Sequence, residues 1–456
     1  MRRSTRDPIS HKSSEQGQVV VLLVLAFIVL LGFVALAIDG GTIYSDRRIA
    51  QNSADAASLA GAGAAGQELK DVYLDDWDCG SGFDTAIAAA EEAAIENAAF
   101  NQFTITDTSG ITENVVTVDC STGGTPSNHY LDVKVRIDNE SSASFSQFVF
   151  SGPLKNTVES VGRIFPRQPW AEGNTIVSLT DNCGSHWDKG IVFGGNGNTH
   201  IDRGGIHSNS CLTLNGASGY IEVIGTINYF EENEYRNNGG MTISPEPTPT
   251  DHKIVIDPLP DLCAGVARAP SSGIPGTLSP GTYNNIISIN NRETITLESG
   301  LYCLRRGIRV NGGGTLLSEV LHDSTEGGVT IVVLNGNFDV AGNATVKLKA
   351  PDPETCDAEP DSYGLTCPPA MGGMLIYLPP GNTGLVSLAG TSDSEYTGTV
   401  YAPDGSIDVG GNTSMISELW VQMIANSVLI HGDTEMTIHY DGRMNVQLPA
   451  KLNLQR

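Results

Sequence analysis

QVVVLLVLAFIVLLGFVALAI (18–38) holds 21 residues with no charge and no proline, and only Gln18 and Gly32 interrupt its apolar run. At about 1.5 Å per residue, a helix of this length covers roughly 30 Å, the depth of a bilayer's hydrocarbon core. Its β-branched residues do not argue against a helix, because in lipid every backbone group must be bonded within the segment. Arg2, Arg3, Arg6 and Lys12 precede the run, against Asp7 and Glu15. That positive excess predicts a cytoplasmic N-terminus and an exported remainder. Arg47 and Arg48 on the far side weaken this orientation without reversing it. A cleaved signal peptide would have a shorter apolar core and a small-residue cleavage site. Here the run flows into Asp39-Gly40-Gly41 and a helical pattern, so a retained single-pass anchor is expected.

The length of 456 residues predicts two or three domains. The net charge is -26, and setting aside the first 17 residues leaves 22 basic and 50 acidic residues, or -28. Such a surface repels nucleic acid and anionic lipid, and no basic patch with interleaved aromatics is present. Solubility explains the charge; calcium binding is the lesser alternative. Eight cysteines lie beyond the anchor: Cys79, Cys120, Cys183, Cys211, Cys263, Cys303, Cys356 and Cys367. None forms CxxC, and export makes disulfides the economical reading. Sequential pairing keeps each bridge within one region, although sequence does not fix connectivity.

Residues 39–70 turn to small side chains at helical spacing, with Ile43, Ile49, Ala50, Ala54, Ala57 and Gly61 among them. A face of Ala, Gly and Ser lets helix backbones approach closely. Two readings stand: a face for partner helices, or an amphipathic helix packed on its own domain. The stretch AIDGGTIYSDRRIAQNSADAASLAGA (37–62) resembles the N-terminal module of TadG-like proteins of the tight-adherence (Flp) pilus system. The resemblance rests on Asp39 and Gly40, Tyr44, the pair Arg47 and Arg48, and Gln51, Asn52, Ala54, Asp55, Ala56 and Ala57. It covers about the first 65 residues and implies an inner-membrane protein of a pilus-assembly or secretion locus, without catalysis of its own. The Asp-x-Ser-x-Ser pentad of a von Willebrand A domain, which some TadG proteins carry, is absent. Five residues after Gly17 stands Leu22, where a processed prepilin would show Glu.

Residues 84–101 read as a second, Ala/Glu-rich helix with Asp84 as its N-cap. Alternation at 114–120 and 130–138 predicts strands, and 142–164 a turn of helix and a closing strand. Beyond RIFPRQPW, helical patterning gives way to short β runs separated by Gly and Asn. A fragment recurs loosely as GIRVNGGGTL (307–316), NFDVAGNATV (337–346), SIDVGGNTSM (406–415) and TLNGASGYIEV (213–223). Loose repetition of this kind marks a stacked β-solenoid. Asn and Gly would supply positive-φ corners, and Val, Ile and Leu would stack inward. A β-sandwich is the alternative. The five prolines of 242–260 predict a segment that loops out of the solenoid or divides it.

Chemical motifs are few. Asp107-Thr108-Ser109-Gly110 spells the aspartic-protease tetrapeptide, but that site needs two such loops, so a plain turn is expected. Cys183, His186, His200, His207 and Cys211 match no tight metal-ligand spacing. GGNGNTHID (194–202) half-matches a calcium nonapeptide, with Thr199 where Asp is needed. Asp202/Arg203 and Arg305/Arg306/Arg309 are the local clusters that an enzyme of the β-helix carbohydrate-active kind could use; solvated corners explain them more simply.

The expected organisation is a cytoplasmic basic tail (1–17), a transmembrane helix (18–38), a TadG-like extracytoplasmic α+β head (39–167) and a mainly-β, irregular parallel β-helix or solenoid (168–456). No catalytic, cofactor or metal residue is assigned. The expected role is non-enzymatic: assembly in a Tad/Flp-type pilus or secretion system. Residues Asp39, Gly40, Tyr44, Arg47, Arg48, Gln51, Asn52, Ala54, Asp55, Ala57 and Gly61 form the assembly helix. The membrane and other pilus proteins are its partners, and a glycan or host surface is a further ligand. An anchored carbohydrate-active or glycan-binding envelope protein is the competing reading.

Overall fold

The computed structural model describes residues 16–69, 72, 76–106, 108, 114–123, 129–141, 145, 154–183, 190–230, 235–270, 273–320, 327–341, 343–353, 370–410, 418–433, 435–448 and 450–455. Residues 1–15, Asp107, Ser109, Gly110, His186, Cys356 and Cys367 therefore lie outside the described residues. The chain divides into two units, Met1–Pro166 with Ala450–Arg456, and Arg167–Pro449. The C-terminal segment thus departs from the expected 168–456 body. Its alternating strand Lys451–Gln455 pairs antiparallel with Leu154–Phe165 in the first unit, Leu452 opposite Ile164.

In the first unit, α1 (Gln16–Glu68) runs unbroken for 53 residues and α2 spans Asp84–Phe100. A four-stranded antiparallel sheet joins Val115–Thr122, His129–Ser141, Leu154–Phe165 and Lys451–Gln455. The central strand alternates as period two demands, burying Leu131, Val133, Val135 and Ile137. On α2 the buried residues are Ala86, Ala90, Ala94 and Ala98, one every fourth position. These small side chains allow α1 and α2 to lie close on the sheet. Asp84 is not the N-cap: a 3-10 turn (Ser81–Phe83) precedes α2, Phe83 takes the cap position, and Asp84 stands in the first helical turn. A carboxylate there still faces the positive end of the helix dipole. Across the sheet, Arg163 donates Nε–H and Nη2–H to the Asp132 carboxylate at 2.6 and 2.8 Å and lies 3.5 Å above the Tyr130 ring. Cys79 and Cys120 are bridged, tying the turn before α2 to the first strand.

The second unit is a parallel β-solenoid, and its parallel pairing excludes the sandwich. Strands pair with the equivalent strand of the next coil: Thr282 with Cys303, Ile287 with Ile308 and Thr294 with Thr315, each 21 residues on. The recurring fragment occupies one place in the coil. Ile308 and Val310 of GIRV pair with Phe338 and Val340 of NFDV, and Val386 pairs with Ile407 of SIDV. The period lengthens between Val332 and its partner Tyr377, 45 residues on.

Chain order and spatial order differ. Asn174–Ser178, Gly190–Gly195 and Thr199–Asp202 make the first coil; Gly205–Ser208, Leu212–Leu214 and Tyr220–Val223 stack on it. Ile227–Phe230, Tyr235–Asn237 and Thr242–Ser244 follow, then Thr248–Thr250. Coiling resumes at 277 and winds on to Glu418–Gly432 and Met436–His439. These last strands close on the first coil: Ile424 pairs with Val177, Val428 with Ile191 and Thr437 with His200. The coil made last therefore covers the coil made first.

The segment joining the two runs is a strap: of the two expectations for 242–260, it divides the solenoid and does not loop out of it. Thr242–Ser244 and Thr248–Thr250 belong to the solenoid, and the residues that follow pack along one outer face. Ile254, Ile256, Leu259, Leu262 and Val266 join a second apolar cluster with Val177, Tyr401, Tyr377, Val332 and Leu301. This explains why Asn174–Ser178, Gly300–Leu304 and Val329–Val333 are buried throughout instead of alternating. One face meets the inner core and the other meets the strap. Buried Asn209 pins the strap, donating to Ile254 O at 2.7 Å and accepting from its N–H at 2.8 Å. The Cys263–Cys303 bridge fixes it further along.

The corners also correct the sequence reading. Glycines take the positive φ, as at Gly195 (φ 79°), where a Cβ would overlap the Gly432 carbonyl oxygen. Among the described asparagines, Asn291 alone has a positive φ. Others use the side chain: Asn196 Oδ1 accepts Ala217 and Ser218 N–H, Asn198 Oδ1 accepts Tyr220 N–H, and Asn337 Oδ1 accepts Leu385 N–H. Each satisfies backbone donors of a neighbouring coil.

Candidate functional site

The two halves of α1 have opposite surroundings. From Val19 to Ile38 the large apolar side chains are exposed, Val19 at 61% and Ile38 at 47%, and this part is long and apolar enough to cross a membrane. The change comes at Asp39, which is 4% exposed and accepts the backbone N–H of Phe145 at 3.0 and 3.3 Å. From Ala50 onward, one face enters the head core: Ala50, Ala54, Ala57, Ala62 and Ala65 are fully buried.

That burial decides between the two readings of the small-residue face. Ala54, Ala57 and Gly61 do not face partner helices; they pack within their own unit. A Cβ added at Gly61 would stand 2.7 Å from Ala90 O and 2.8 Å from Val133 Cγ1. Ser58 Oγ meets Ser160 Oγ at 3.0 Å, and a Cβ at Gly162 would overlap the Ser58 carbonyl oxygen. Ser58, Ser160 and Gly162 are the tight helix-on-strand crossing that sequence reasoning missed. A glycine in mid-strand was the available signal. Gln51 donates to Asp55 Oδ1 at 2.8 Å, one turn on.

The remaining residues of the assembly helix point to solvent. Gly40, Arg47, Arg48 and Asn52 are exposed, and Tyr44 is 65% exposed with the Arg48 guanidinium 5.9 Å from its ring. The outward surface above the apolar stretch is thus polar, basic and aromatic.

On the solenoid, the sequence clusters are dispersed. Cys183 and Cys211 are bridged to each other, which removes them from any ligand set. His200 Nδ1 bonds Glu222 Oε2 at 3.1 Å, and buried His207 bonds Asn209 Oδ1 through Nε2 at 3.2 Å. Burial holds the His207 imidazole below its ordinary pKa. In GGNGNTHID the Asn196 Oδ1 accepts the backbone N–H groups of Ala217 and Ser218. Asp202 bonds His439 Nδ1 at 3.2 Å, Arg203 sits at a positive-φ corner, and Arg309 pairs with Asp339 at 2.8 Å.

Residues 17–64 match a family model described as putative Flp pilus-assembly TadE/G-like. No curated protein matches the chain. Among solved structures, the competence-associated pilin ComZ from Thermus thermophilus aligns at 13% identity over 76% of this chain and 89% of that one, with a TM-score of 0.25. A superposition of that quality carries no argument about fold. The matched segment spans the exposed apolar stretch and the buried small-residue face, so the similarity to the TadE/G-like Flp pilus-assembly family is carried by residues 17–64.

Proposed function

We propose that the chain is a membrane-anchored, extracytoplasmic structural protein of a Tad/Flp-type pilus or secretion apparatus. The carrying observation is that one helix, matched as TadE/G-like, leaves an exposed apolar stretch and continues into the centre of a folded head. Basic residues before the stretch favour a cytoplasmic N-terminus, and three bridged cysteine pairs favour an oxidising compartment for the rest. The solenoid then serves as a structural or adhesive surface. With the alanine face spent inside the head, association with other pilus components falls to Tyr44, Arg47, Arg48 and Asn52.

Membrane fractionation with protease protection tests this. The wild-type chain should stay with the membrane after a carbonate wash, with the head and solenoid digested only from the outer side. Val29→Arg places a charge in mid-stretch at a cost of about 3 kcal/mol and should weaken retention. Tyr44→Ala with Arg48→Glu should retain the anchor but lose co-isolation with pilus components. A wild-type chain recovered in the cytosol, or digested from the cytoplasmic side, would overturn the proposal.

A further inference from the structure

Every inner coil of the solenoid is covered on both sides, but the coil of residues 277–297 is covered on one. In the next coil, Leu304, Ile308 and Leu316 are almost fully buried. Their partners in this coil, Tyr283, Ile287 and Ile295, are only half-buried. Ile286 beside them is 45% exposed. A solenoid end left this way shows both apolar core and unpaired strand edge to water.

The chain starts a cover and abandons it. Thr282 N–H donates to Ala267 O at 2.8 Å, and Ala269 N–H donates to Thr282 O at 3.2 Å, so the end of the strap pairs with Gly281–Tyr283. Pro270 follows. Over the adjoining strand Ile287–Ile289 there is instead a cavity of about 270 Å³, lined by Arg268, Ala269, Tyr283, Ile286, Ser288 and Ile295 among others. Among the described residues this strand pairs on one side alone, with Ile308–Val310. Ile287 N–H donates to Gly307 O and Ile289 O accepts from Asn311 N–H, so by strand alternation the N–H and C=O of Ser288 point into the gap.

We infer that the open edge Ile287–Ile289, with the cavity beside Arg268, is a strand-addition site for an extended segment of another protein. The edge requires a strand, since only an extended backbone matches its spacing of donor and acceptor. Ile287 is half-buried and Ile286 is 45% exposed, whereas Ile289 is fully buried, so the segment needs apolar side chains at the Ile286–Ile287 end of the edge. Arg268 is exposed at the margin and makes no ion pair among the described residues, so an acidic residue flanking the apolar positions completes the match. A second copy stacked end to end is disfavoured. The far end carries Pro245, Pro247 and Pro249 in its last turn, and Pro249 offers no N–H to a further coil.

The test is a fluorescence-anisotropy titration of full-length protein in lipid nanodiscs. The probe is a labelled synthetic hexapeptide of alternating valine and threonine led by glutamate. Binding should weaken at least tenfold when alternate peptide nitrogens are methylated, which keeps the side chains and removes the strand bonds. Ser288→Pro should weaken it equally, and Ile286→Arg provides a second variant whose altered side chain is exposed. Unchanged hydrogen exchange over 308–310 would show that both variants keep the fold. Arg268→Glu should weaken binding and be rescued by a peptide led by lysine. Failure of the hexapeptide to bind, or equal affinity for the methylated peptide, would overturn the inference. So would self-association in sedimentation that Ser288→Pro abolishes, which would make the occupant a second copy.

Discussion

Gly61 and Gly63 stand two residues apart on α1, and replacing each by alanine should have opposite consequences. Both changes add the same helix propensity, about 1 kcal/mol. A Cβ at 63 meets nothing within 4 Å, so Gly63→Ala keeps that gain. A Cβ at 61 stands 2.7 Å from Ala90 O, 2.8 Å from Val133 Cγ1 and 3.1 Å from Ala94 Cβ. These neighbours are a helix backbone, a stiff β-branched side chain and a methyl group without rotamers, so none can swing aside. Overpacking of this kind costs about 1–3 kcal/mol. Because propensity cancels between the two variants, their difference isolates the steric cost. That difference is a factor of about 5 to 150 in local opening, at about 1.4 kcal/mol per decade. Hydrogen exchange of full-length protein, read on peptides covering 84–100, measures it directly. Gly61→Ala should quicken exchange on α2, and Gly63→Ala should leave it unchanged or slow it. Equal exchange in the two variants would refute the placement of the small-residue face inside the head.

Two further outcomes follow from the strap. His207 is buried beside Asn209, with His252 and Glu172 nearby, and its pKa is lowered. The unfolded chain then holds more protons below about pH 6.5, so His207's contribution is complete above that pH and declines as pH falls toward the lowered value. Amide protection over 251–262, taken against the intrinsic exchange rate at each pH, should fall on acidification, and His207→Gln should flatten that dependence. The Cys263–Cys303 bridge closes a separation of 40 residues, which the chain-entropy relation values at about 4 kcal/mol. Cys263→Ser with Cys303→Ala should lower the thermal midpoint and quicken tryptic cleavage after the already exposed Arg268 by loosening the strap backbone; an unchanged midpoint would show that the strap is held by packing alone.

Much of this was legible in the sequence, and the illegible remainder has physical causes. The long apolar helix could be read because its run is uncharged, free of proline and long enough to cross a bilayer. The solenoid could be read because Ile308, Phe338 and Ile407 recur in the same four-residue context and do occupy equivalent positions. The face used by Ala54, Ala57 and Gly61 could not be assigned, since close approach demands the same small residues whether the other surface is a partner or the same chain. The strap could not be read either. Asn209 grips Ile254 from 45 residues away, and nothing local distinguishes such an asparagine from one that turns a corner. For the same reason Asn196 and Asn337 looked like turn residues, although their side chains serve donors of a neighbouring coil.

Closing the last coil on the first sets the folding problem of this body. Ser178 Oγ–H donates to Asn426 O across 248 positions, whereas neighbouring coils close over 21. Loop-closure entropy grows as three-halves of RT times the logarithm of length, giving about 5 kcal/mol for the long closure and about 3 for the short. The excess of about 2 kcal/mol is close to the gain from burying one aliphatic side chain. Ile176, Ile191, Phe193 and Ile201 of the first coil are all essentially unexposed, so the long closure is readily offset once it forms. Before it forms, no such offset exists. Val177 and Ile191 pair with strand Glu418–Gly432, which is made almost last. The outer side of the coil of residues 174–202 is therefore covered only after the rest of the solenoid has been synthesised. The strap, by running back along the outer face to the far end, allows both runs to wind in one direction and meet in register.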